Sequence, residues 1–316
     1  MSSAAAKVVK RRLAGGWLAL LLTLLAAAGC GSDPAYTTVD FKNTKPVPRP
    51  DTSGDGAVLR VAVGSMISPR ATMIYYQQIL AYLGQKVGRP VDLVQKKTYA
   101  EINHLLDTGE IDVAFICSGP FAAGGRRLGL HLLAAPQVQG ETFYRAYLIV
   151  NAASAYRSLE DLQGRIFAFT DPDSNTGRLV PTYWLAEKNR RPEEFFSEVV
   201  YTQAHDNSIL AVAKGLVDGA TVDGLVWDYY QATEPQLTSR TRIIRKSQAF
   251  GIPPVVASRH LSPESRQAVQ EALLSMHQNP QGRAILAELR IERFVQARDE
   301  WYQPVRRILA KQAGGG

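Results

Sequence analysis

A run of short polar residues at positions 171–177 has the residue types and the spacing of an anion-binding turn. It reads Asp-Pro-Asp-Ser-Asn-Thr-Gly, follows an apolar strand-like run at 165–170, and precedes a helical pattern that begins near Gly177. The first N–H groups of a helix lack backbone partners and carry roughly half a positive charge, so a tetrahedral oxyanion can bind there beside hydroxyl donors. Ordinary helix capping is the alternative, because Ser, Asn and Thr are also preferred capping residues. We call residues 171–177 the polar turn and interpret it as an anion site.

The elements that position the polar turn begin with an alternation of strands and helices. Residues 58–63, 90–94 and 111–116 have the apolar patterns of strands, and residues 71–87 and 99–107 between them have helical spacing. Nearly continuous apolar strands joined by amphipathic helices predict a parallel sheet covered on both faces. Ligands of such sheets bind beyond the carboxyl ends of the strands, so side chains that follow these strands can reach a ligand.

Two more strands complete the first alternation, and a second alternation of the same kind begins after Asn151. The further expected strands are 130–135, 143–150, 165–170, 199–202, 220–222, 241–245 and 255–257, and the further expected helices are 159–162, 178–189, 208–214, 263–277, 280–289 and 298–311. We expect the last three helices to pack on the first lobe. The predicted fold class is therefore α/β, with two lobes, a hinge and a central ligand cleft. We place lobe 1 at residues 58–149 and 247–316 and lobe 2 at residues 150–246.

The N-terminal residues have the composition of a secretion signal. Residues 1–29 combine a basic start with an uncharged apolar run at 13–28, which is short for a transmembrane helix. The sequence Ala-Ala-Gly-Cys that ends at Cys30 resembles the lipobox of bacterial lipoproteins, although Ala27 stands where Leu is usual. We predict a lipidated Cys30 that opens a tether at residues 30–57, which is rich in Pro, Thr, Asp, Gly and Ser. A plain secreted protein is the alternative.

The charge and the cysteine content bear on the class of protein. Removing the four cations of the predicted signal from the formal charge of +7 leaves +3, a balance that does not indicate nucleic-acid binding. A lipidated Cys30 leaves Cys117 alone, so no intramolecular disulfide is expected. No Ser-His-Asp order, paired carboxylates, metal cluster or Gly-rich phosphate loop stands out, so we predict neither an enzyme nor a cofactor.

Several motifs along the chain resemble those of the phosphonate, phosphite and phosphate binding proteins of ABC importers. They are the polar turn with Leu-Val-Pro at 179–181, Ala-His-Asp at 204–206, Val-Asp-Gly-Ala at 217–220, Thr-Tyr at 98–99 and Gly-x-Ile-Asp-x-Ala at 109–114. The resemblance covers residues 59–310. It implies a periplasmic binding protein of the two-lobed, type II-like fold, located outside the cytoplasm and attached to the membrane by its lipid. The implied partners are a small oxyanion and an ABC permease, and we expect a monomer that binds no nucleic acid.

The resemblance also implies roles for individual residues. In the family a Ser-Thr-Ser turn holds the phosphonate oxygens, and the matching residues here are Ser174, Asn175 and Thr176. Asn175 replaces a hydroxyl, but its amide can still donate a hydrogen bond. Two tyrosines of the first lobe reach the ligand in the family. They match Tyr99 and Tyr144, either of which could instead be a core aromatic residue.

Two residues of the second lobe are further ligand candidates. His205 matches a family histidine at the start of a helix, and it follows a strand in the same lobe as the polar turn. Asp223 follows the strand expected at 220–222, where it can contact the ligand or cap the helix that begins near Gly224.

Cys117 and Ser118 follow the strand expected at 111–116 and are possible secondary contacts. Some relatives present a bound oxyanion to a membrane histidine kinase, and arsenite-binding relatives use a cysteine. A sensor subunit is therefore the alternative function. For Cys117 itself, a small buried thiol is the more frequent role.

The departures from the family indicate which anion binds. Members that bind aminoethylphosphonate hold its ammonium with a Glu and an Asp, and the aligned positions here are Leu225 and Pro253. A buried ammonium without a carboxylate partner is strongly disfavoured. We therefore expect a compact anion without an amine, such as phosphite, phosphate or methylphosphonate.

Overall fold

The structure is a computed structural model that describes residues 58–64, 66 and 69–313. The predicted signal peptide and the whole predicted tether, including Cys30, lie outside these residues, so their roles stay predictions. None of the helices in the described ranges is long and apolar enough to cross a membrane.

The strands of the described chain are β1 (Leu59–Val63), β2 (Val91–Val94), β3 (Val113–Phe115), β4 (His131–Gln137), β5 (Phe143–Tyr144), β6 (Ala146–Asn151), β7 (Ile166–Phe169), β8 (Glu198–Tyr201), β9 (Gly219–Asp223), β10 (Thr241–Lys246), β11 (Phe250–Gly251), β12 (Val255–Ala257) and β13 (Arg293–Val295). The α-helices are α1 (Pro69–Val87), α2 (Tyr99–Thr108), α3 (Ser118–Gly124), α4 (Val180–Ala186), α5 (Pro192–Phe195), α6 (His205–Ala213), α7 (Gly224–Thr233), α8 (Pro235–Thr238), α9 (Pro263–Ser275), α10 (Pro280–Glu288) and α11 (Gln303–Ala313). Short 3-10 turns cover Glu160–Leu162, Met276–Gln278 and Asp299–Tyr302, and a π-helical turn covers Asn175–Leu179.

The first sheet is six-stranded, in the order β13-β4-β12-β3-β1-β2. β1 pairs with β2 and β3 in parallel, whereas β12 lies antiparallel between β3 and β4. The prediction of a parallel sheet is confirmed for β1, β2 and β3, whereas β12, β4 and β13 add antiparallel pairs that the sequence did not predict. A strand buried on both faces is apolar throughout, whichever direction it runs, so its residues do not indicate its direction. Buried side chains such as Val61, Phe115 and Leu273 join the sheet to the helices that cover it.

The second sheet is five-stranded, in the order β10-β6-β9-β7-β8. β7 is parallel to β8 and β9, and β6 is antiparallel to β9 and β10. Successive strand residues alternate between two cores, so Phe167 packs on one face and Ala168 on the other. Because β7 and β9 run in parallel, their carboxyl ends bring the polar turn and Asp223 to the same edge of this sheet.

The predicted strand 143–150 is two strands in two different sheets. β5 pairs with β11 in a two-stranded ribbon, and β6 joins the second sheet. The apolar pattern runs on across the exposed Arg145, so the sequence gives no sign of this change of sheet. The predicted lobe boundary after residue 149 consequently falls inside β6.

The sequence predicted that the last three helices pack on the first lobe, but the last helix, α11, contacts both lobes. α9 and α10 do cover the first sheet, but α11 contacts α3 on one side and α4 on the other. Val305 and Ile308 of α11 are buried with Leu179 and Trp184 in the core of the second lobe. The amphipathic pattern of α11 predicts a buried face, but it does not indicate which lobe that face covers.

Candidate functional site

The polar turn leads from the end of β7 into a widened helical turn. Ser174 is the N-cap, and its hydroxyl oxygen accepts a hydrogen bond from the Gly177 N–H at 3.0 Å. The helix predicted from residue 178 instead begins with the π-helical turn at Asn175–Leu179, before α4 continues. π-Helical turns are rare and are often found at functional sites. The capping interpretation therefore holds for the Ser174 side chain, and it leaves Asn175 and Thr176 available for other contacts.

Buried hydrogen-bonding atoms without partners concentrate around the polar turn. Within the described ranges, such atoms on the polar turn and the elements around it include Asn175 Oδ1, Thr176 Oγ1, Thr170 Oγ1, Thr221 Oγ1, Tyr99 OH and His205 Nε2. Buried polar groups in folded proteins nearly always have a partner, so each of these atoms calls for an explanation. A ligand that hydrogen-bonds to several of them at once would supply it.

A chain of side-chain hydrogen bonds links the two lobes through Tyr144. The Asn175 amide nitrogen donates to the Tyr144 hydroxyl at 3.1 Å, and that hydroxyl lies 2.5 Å from the Ser118 hydroxyl. Tyr144 and Ser118 come from the first half of the chain, and Asn175 comes from the polar turn. The structure therefore brings together three of the residues singled out in the sequence. Burial raises the pKa of Tyr144, so this hydroxyl keeps its proton.

His205 is held as a neutral imidazole with one nitrogen available. Its Nδ1 accepts a hydrogen bond from the Asp223 N–H at 3.0 Å, so the ring proton must be on Nε2. Burial lowers the pKa of His205 to about 3, because a charged imidazolium would lose its hydration there. His205 is the first residue of α6 and is fully buried. Its Nε2–H is therefore a hydrogen-bond donor without a partner among the described residues.

Asp223 caps a helix, as one of its two predicted roles required. It ends β9, and its Oδ1 accepts a hydrogen bond from the Leu225 N–H at 2.8 Å at the start of α7. Burial raises the pKa of Asp223 to about 7, although the helix N–H groups act in the opposite direction. The ligand role of Asp223 stays a prediction.

Cys117 has the environment of a buried thiol. It packs against Met66 and Tyr99, and burial raises its pKa to about 11. Metalloid and metal binding use the thiolate, which this environment disfavours. In the part of the chain that the structure describes, no group of His, Cys, Asp and Glu side chains could hold a metal ion. The structure thus favours the packing interpretation of Cys117 over an arsenite site.

Three residues outside the predicted set of ligand contacts also lie at the site. The Asp171 carboxylate accepts a hydrogen bond from the Tyr99 N–H at 3.1 Å, and the Met66 carbonyl accepts one from the His205 N–H at 2.9 Å. The pKa of Tyr76 is raised to about 12, mainly by burial and in smaller part by the charge of Asp223. Asp171 could have been found from its place in the polar turn. Met66 follows the first predicted strand, where a ligand contact was expected, whereas nothing in the sequence points to Tyr76.

Tyr99 lies at the centre of these groups. It is the first residue of α2 and is buried, and its hydroxyl has no partner in the described chain. Burial raises the pKa of Tyr99, and the charges of Cys117, Asp171 and Asp223 raise it further. The same groups therefore surround it, and the phenol stays a neutral donor.

The sequence matches one known family over most of the described residues. Residues 61–302 match the family described as ABC transporter, phosphonate, periplasmic substrate-binding protein. The phosphonates-binding periplasmic protein of Escherichia coli K12 is 26% identical over 229 residues, which cover 71% of this chain and 68% of that protein. The phosphate-import protein PhnD of Mycolicibacterium smegmatis is 28% identical over 222 residues, which cover 66% of this chain and 64% of that protein.

Solved structures share the fold. A binding protein component of an ABC phosphonate transporter from Pseudomonas aeruginosa superposes with a TM-score of 0.78 at 24% identity, over 83% of this chain and 88% of that chain. PhnD1 of Prochlorococcus marinus in complex with methylphosphonate superposes with a TM-score of 0.73 at 18% identity, over 82% of this chain and 99% of that chain. These likenesses confirm the predicted two-lobed α/β fold. With the match over residues 61–302, the chain belongs to the family of phosphonate ABC-transporter periplasmic substrate-binding proteins.

Proposed function

We propose that this chain is an extracytoplasmic receptor that binds a small phosphorus oxyanion and delivers it, unchanged, to an ABC importer. The observation that carries the proposal is the concentration of buried, unpartnered hydrogen-bonding atoms around the polar turn of the described chain. An unpaired buried polar atom costs about 1–3 kcal/mol, which a bound anion would recover. The family and the names of its relatives in Escherichia coli and Mycolicibacterium smegmatis support the same class of ligand.

The chemistry of these atoms fits a tetrahedral anion that carries one proton. Thr176, Tyr99 and the His205 Nε2–H can donate to anionic oxygens. The Asn175 Oδ1 can only accept, and an ionised Asp223 carboxylate can also only accept. A protonated ligand oxygen could donate to either of these acceptors, so singly protonated species are the expected ligands.

We further propose that the ligand lacks an amine. The positions aligned with the ammonium-binding carboxylates of the family are Leu225 and Pro253, and both line an apolar cavity beside the site. Phosphite, phosphate and methylphosphonate are therefore the expected ligands among compact oxyanions.

Calorimetric titration with phosphite, phosphate and methylphosphonate tests the proposal. Thr176→Ala removes a hydroxyl donor to a charged group, which should weaken binding by about 1.5–3 kcal/mol, or roughly tenfold or more. Thr182→Ala is the matched control, because the Thr182 hydroxyl also has no partner among the described residues but lies in α4. We expect unchanged affinity in the control. Equal affinity in wild type and Thr176→Ala would contradict a ligand-binding role for the polar turn and leave helix capping as its role.

Membrane attachment is a separate part of the proposal and rests on the sequence. We propose that Cys30, outside the described residues, carries the lipid that anchors the receptor. Metabolic labelling with a palmitate analogue should mark the wild type and leave Cys30→Ala unmarked. An unlabelled wild type would contradict the proposed lipid anchor, and it would not bear on the proposed oxyanion ligand.

A further inference from the structure

An apolar cavity of about 150 Å³ lies between the lobes, beside the proposed oxyanion site. Its walls include Phe115 and Phe294 from the first sheet, Leu225 and Val226 from α7, and Ile252 and Pro253 from the segment between β11 and β12. We call this cavity the apolar chamber. Most of its lining is hydrocarbon or aromatic, and Asp223 is the ionisable acid in its wall.

The apolar chamber is continuous with the residues that hold His205. Met66 and Asp223 both line it. The Met66 carbonyl accepts a hydrogen bond from the His205 backbone N–H, and the Asp223 N–H donates to the imidazole Nδ1. The chamber and the His205 imidazole therefore share two neighbouring residues, Met66 and Asp223, so the chamber lies beside a ligand bonded to the Nε2–H.

We propose that the apolar chamber holds the organic substituent of a phosphonate whose oxygens bind at the polar turn, and that this substituent is apolar and about the size of a butyl or phenyl group. This inference rests on the proposed function and narrows its ligand from phosphorus oxyanions in general to apolar organophosphonates.

The size of the chamber sets the size of the substituent. An enclosed apolar cavity of about 150 Å³ in another protein binds benzene, so a group of that size fits the volume of the chamber. Each methylene buried in such a space contributes roughly a threefold to fourfold gain in affinity. A substituent that fills the chamber should therefore bind more tightly than the methyl group of methylphosphonate.

The chemistry of the chamber argues against a charged substituent. The Asp223 Oδ1 already accepts the Leu225 N–H, and the neighbouring lining residues Leu225, Val226 and Pro253 carry no charge. An ammonium placed there would lose its hydration and gain at most this one carboxylate, whereas an alkyl or aryl group would lose nothing.

A second pocket limits the length of the substituent. This pocket, of about 290 Å³, shares Leu225, Tyr229 and Leu289 with the apolar chamber, and its lining also includes Arg145 and Asp228. A chain longer than the chamber would enter this more polar space. The gain per methylene should therefore stop once the chamber is full.

Calorimetric titration of the purified receptor tests the inference with phosphite, methyl-, butyl-, phenyl- and aminoethylphosphonate. Butyl- and phenylphosphonate should bind roughly tenfold to fiftyfold more tightly than methylphosphonate. Val226→Phe, which fills part of the chamber, should remove this advantage and leave phosphite binding unchanged. Leu225→Glu should shift the preference towards aminoethylphosphonate. Phosphite binding and the melting temperature of each variant report whether it is folded.

The outcomes separate the inference from the proposed function. If phosphite and methylphosphonate bind but larger apolar substituents give no gain, the inference is overturned and the proposed function stands. Tightest binding of aminoethylphosphonate by the wild type would also overturn it. If no phosphorus oxyanion of the panel binds, the proposed function fails, and the inference fails with it.

Discussion

His205 and Asp223 are buried titratable residues, and the Asp223 backbone N–H donates a hydrogen bond to the His205 Nδ1. Burial moves their pKa values in opposite directions. The pKa of His205 falls to about 3 and that of Asp223 rises to about 7, because burial disfavours the charged form of each. Near neutral pH the site therefore presents a neutral imidazole and a carboxyl group that can exist in either form. Such perturbed groups are typical of functional sites.

The raised pKa of Asp223 predicts how stability depends on pH. The pKa of an unfolded aspartate is about 3.9, so the folded protein binds more protons between that pH and about 7. The contribution of Asp223 to stability is thus fully present below the unfolded value and is lost as pH rises through the folded value. Relative to Asp223→Asn, whose amide oxygen can still accept the Leu225 N–H, the wild type should lose up to about 4 kcal/mol between about pH 4 and pH 8.

Chemical denaturation of both proteins across this pH range measures the difference. His205 contributes with the opposite sign, because its lowered pKa makes its contribution disappear as pH falls below about 6.5. It is present in both proteins, so it cancels in the comparison. A difference that does not change with pH would show that Asp223 is ionised in the folded protein throughout.

At the scale of residues, the sequence predicted those contacts that are local. Ser174, Asn175 and Thr176 share one turn, so short-range rules pointed to them, whereas His205 was identified by the family resemblance and lies three residues before the helix start that the local pattern predicted. Tyr76 reaches the site only through folding, because its place beside Asp223 depends on long-range packing that no local pattern records.

At the scale of elements, the π-helical turn depends on a glycine in a tight space. A Cβ atom at Gly177 would lie 1.8 Å from the Thr170 hydroxyl oxygen and 2.8 Å from the Thr170 Cβ. Gly177→Ala should therefore displace the turn, lower stability by about 1–3 kcal/mol or more, and weaken anion binding at the same time. Denaturation curves and calorimetry measure the two effects.

Gly124→Ala is the control for this substitution. Its added Cβ would have its closest contact at 3.5 Å, with the Leu128 side chain, and Ala is favoured over Gly within a helix. We expect the stability of Gly124→Ala to equal or exceed that of the wild type. Equal stability of the two glycine variants would mean that the polar turn tolerates a side chain and has more room than its geometry indicates.

The elements that the sequence missed share a physical cause. α3 contains Gly119, Pro120 and Gly124, which are poor helix formers, and it forms because it is packed between α2, α11 and the polar turn. β13 is a short strand of residues Arg293–Val295, and its pairing with β4 is long-range. The apolar chamber was missed for the same reason, since its walls come from segments far apart in the sequence.

At the scale of the whole molecule, the two lobes meet through the residues of the site. Tyr99 donates its N–H to Asp171, His205 donates its N–H to Met66, and Asn175 donates to Tyr144. These contacts describe a closed arrangement. An anion bonded to donors of both lobes would favour this arrangement over an open one, because it binds the closed form better.

Ligand should therefore compact the receptor and raise its stability by about RT ln(1 + [L]/Kd). Small-angle scattering and thermal denaturation measure the two effects. Gly119→Ala should prevent closure, because its Cβ would lie 2.4 Å from the Asp173 carbonyl oxygen across the cleft. Gly124→Ala, in the same helix, should close as the wild type does. Tight binding without compaction in the wild type would contradict a site shared by both lobes.

The last helix of the described chain, α11, constrains how the lobes can separate. It packs on α3 of the first lobe and on α4 of the second, with Val305 and Ile308 buried in the second core. In a rotation of one rigid body against another, only points near the axis keep their neighbours. If α11 keeps both sets of contacts, the axis must pass close to it, and sliding of one lobe along the other is excluded. The lobes would then open by a hinge rotation, with the hinge axis beside α11.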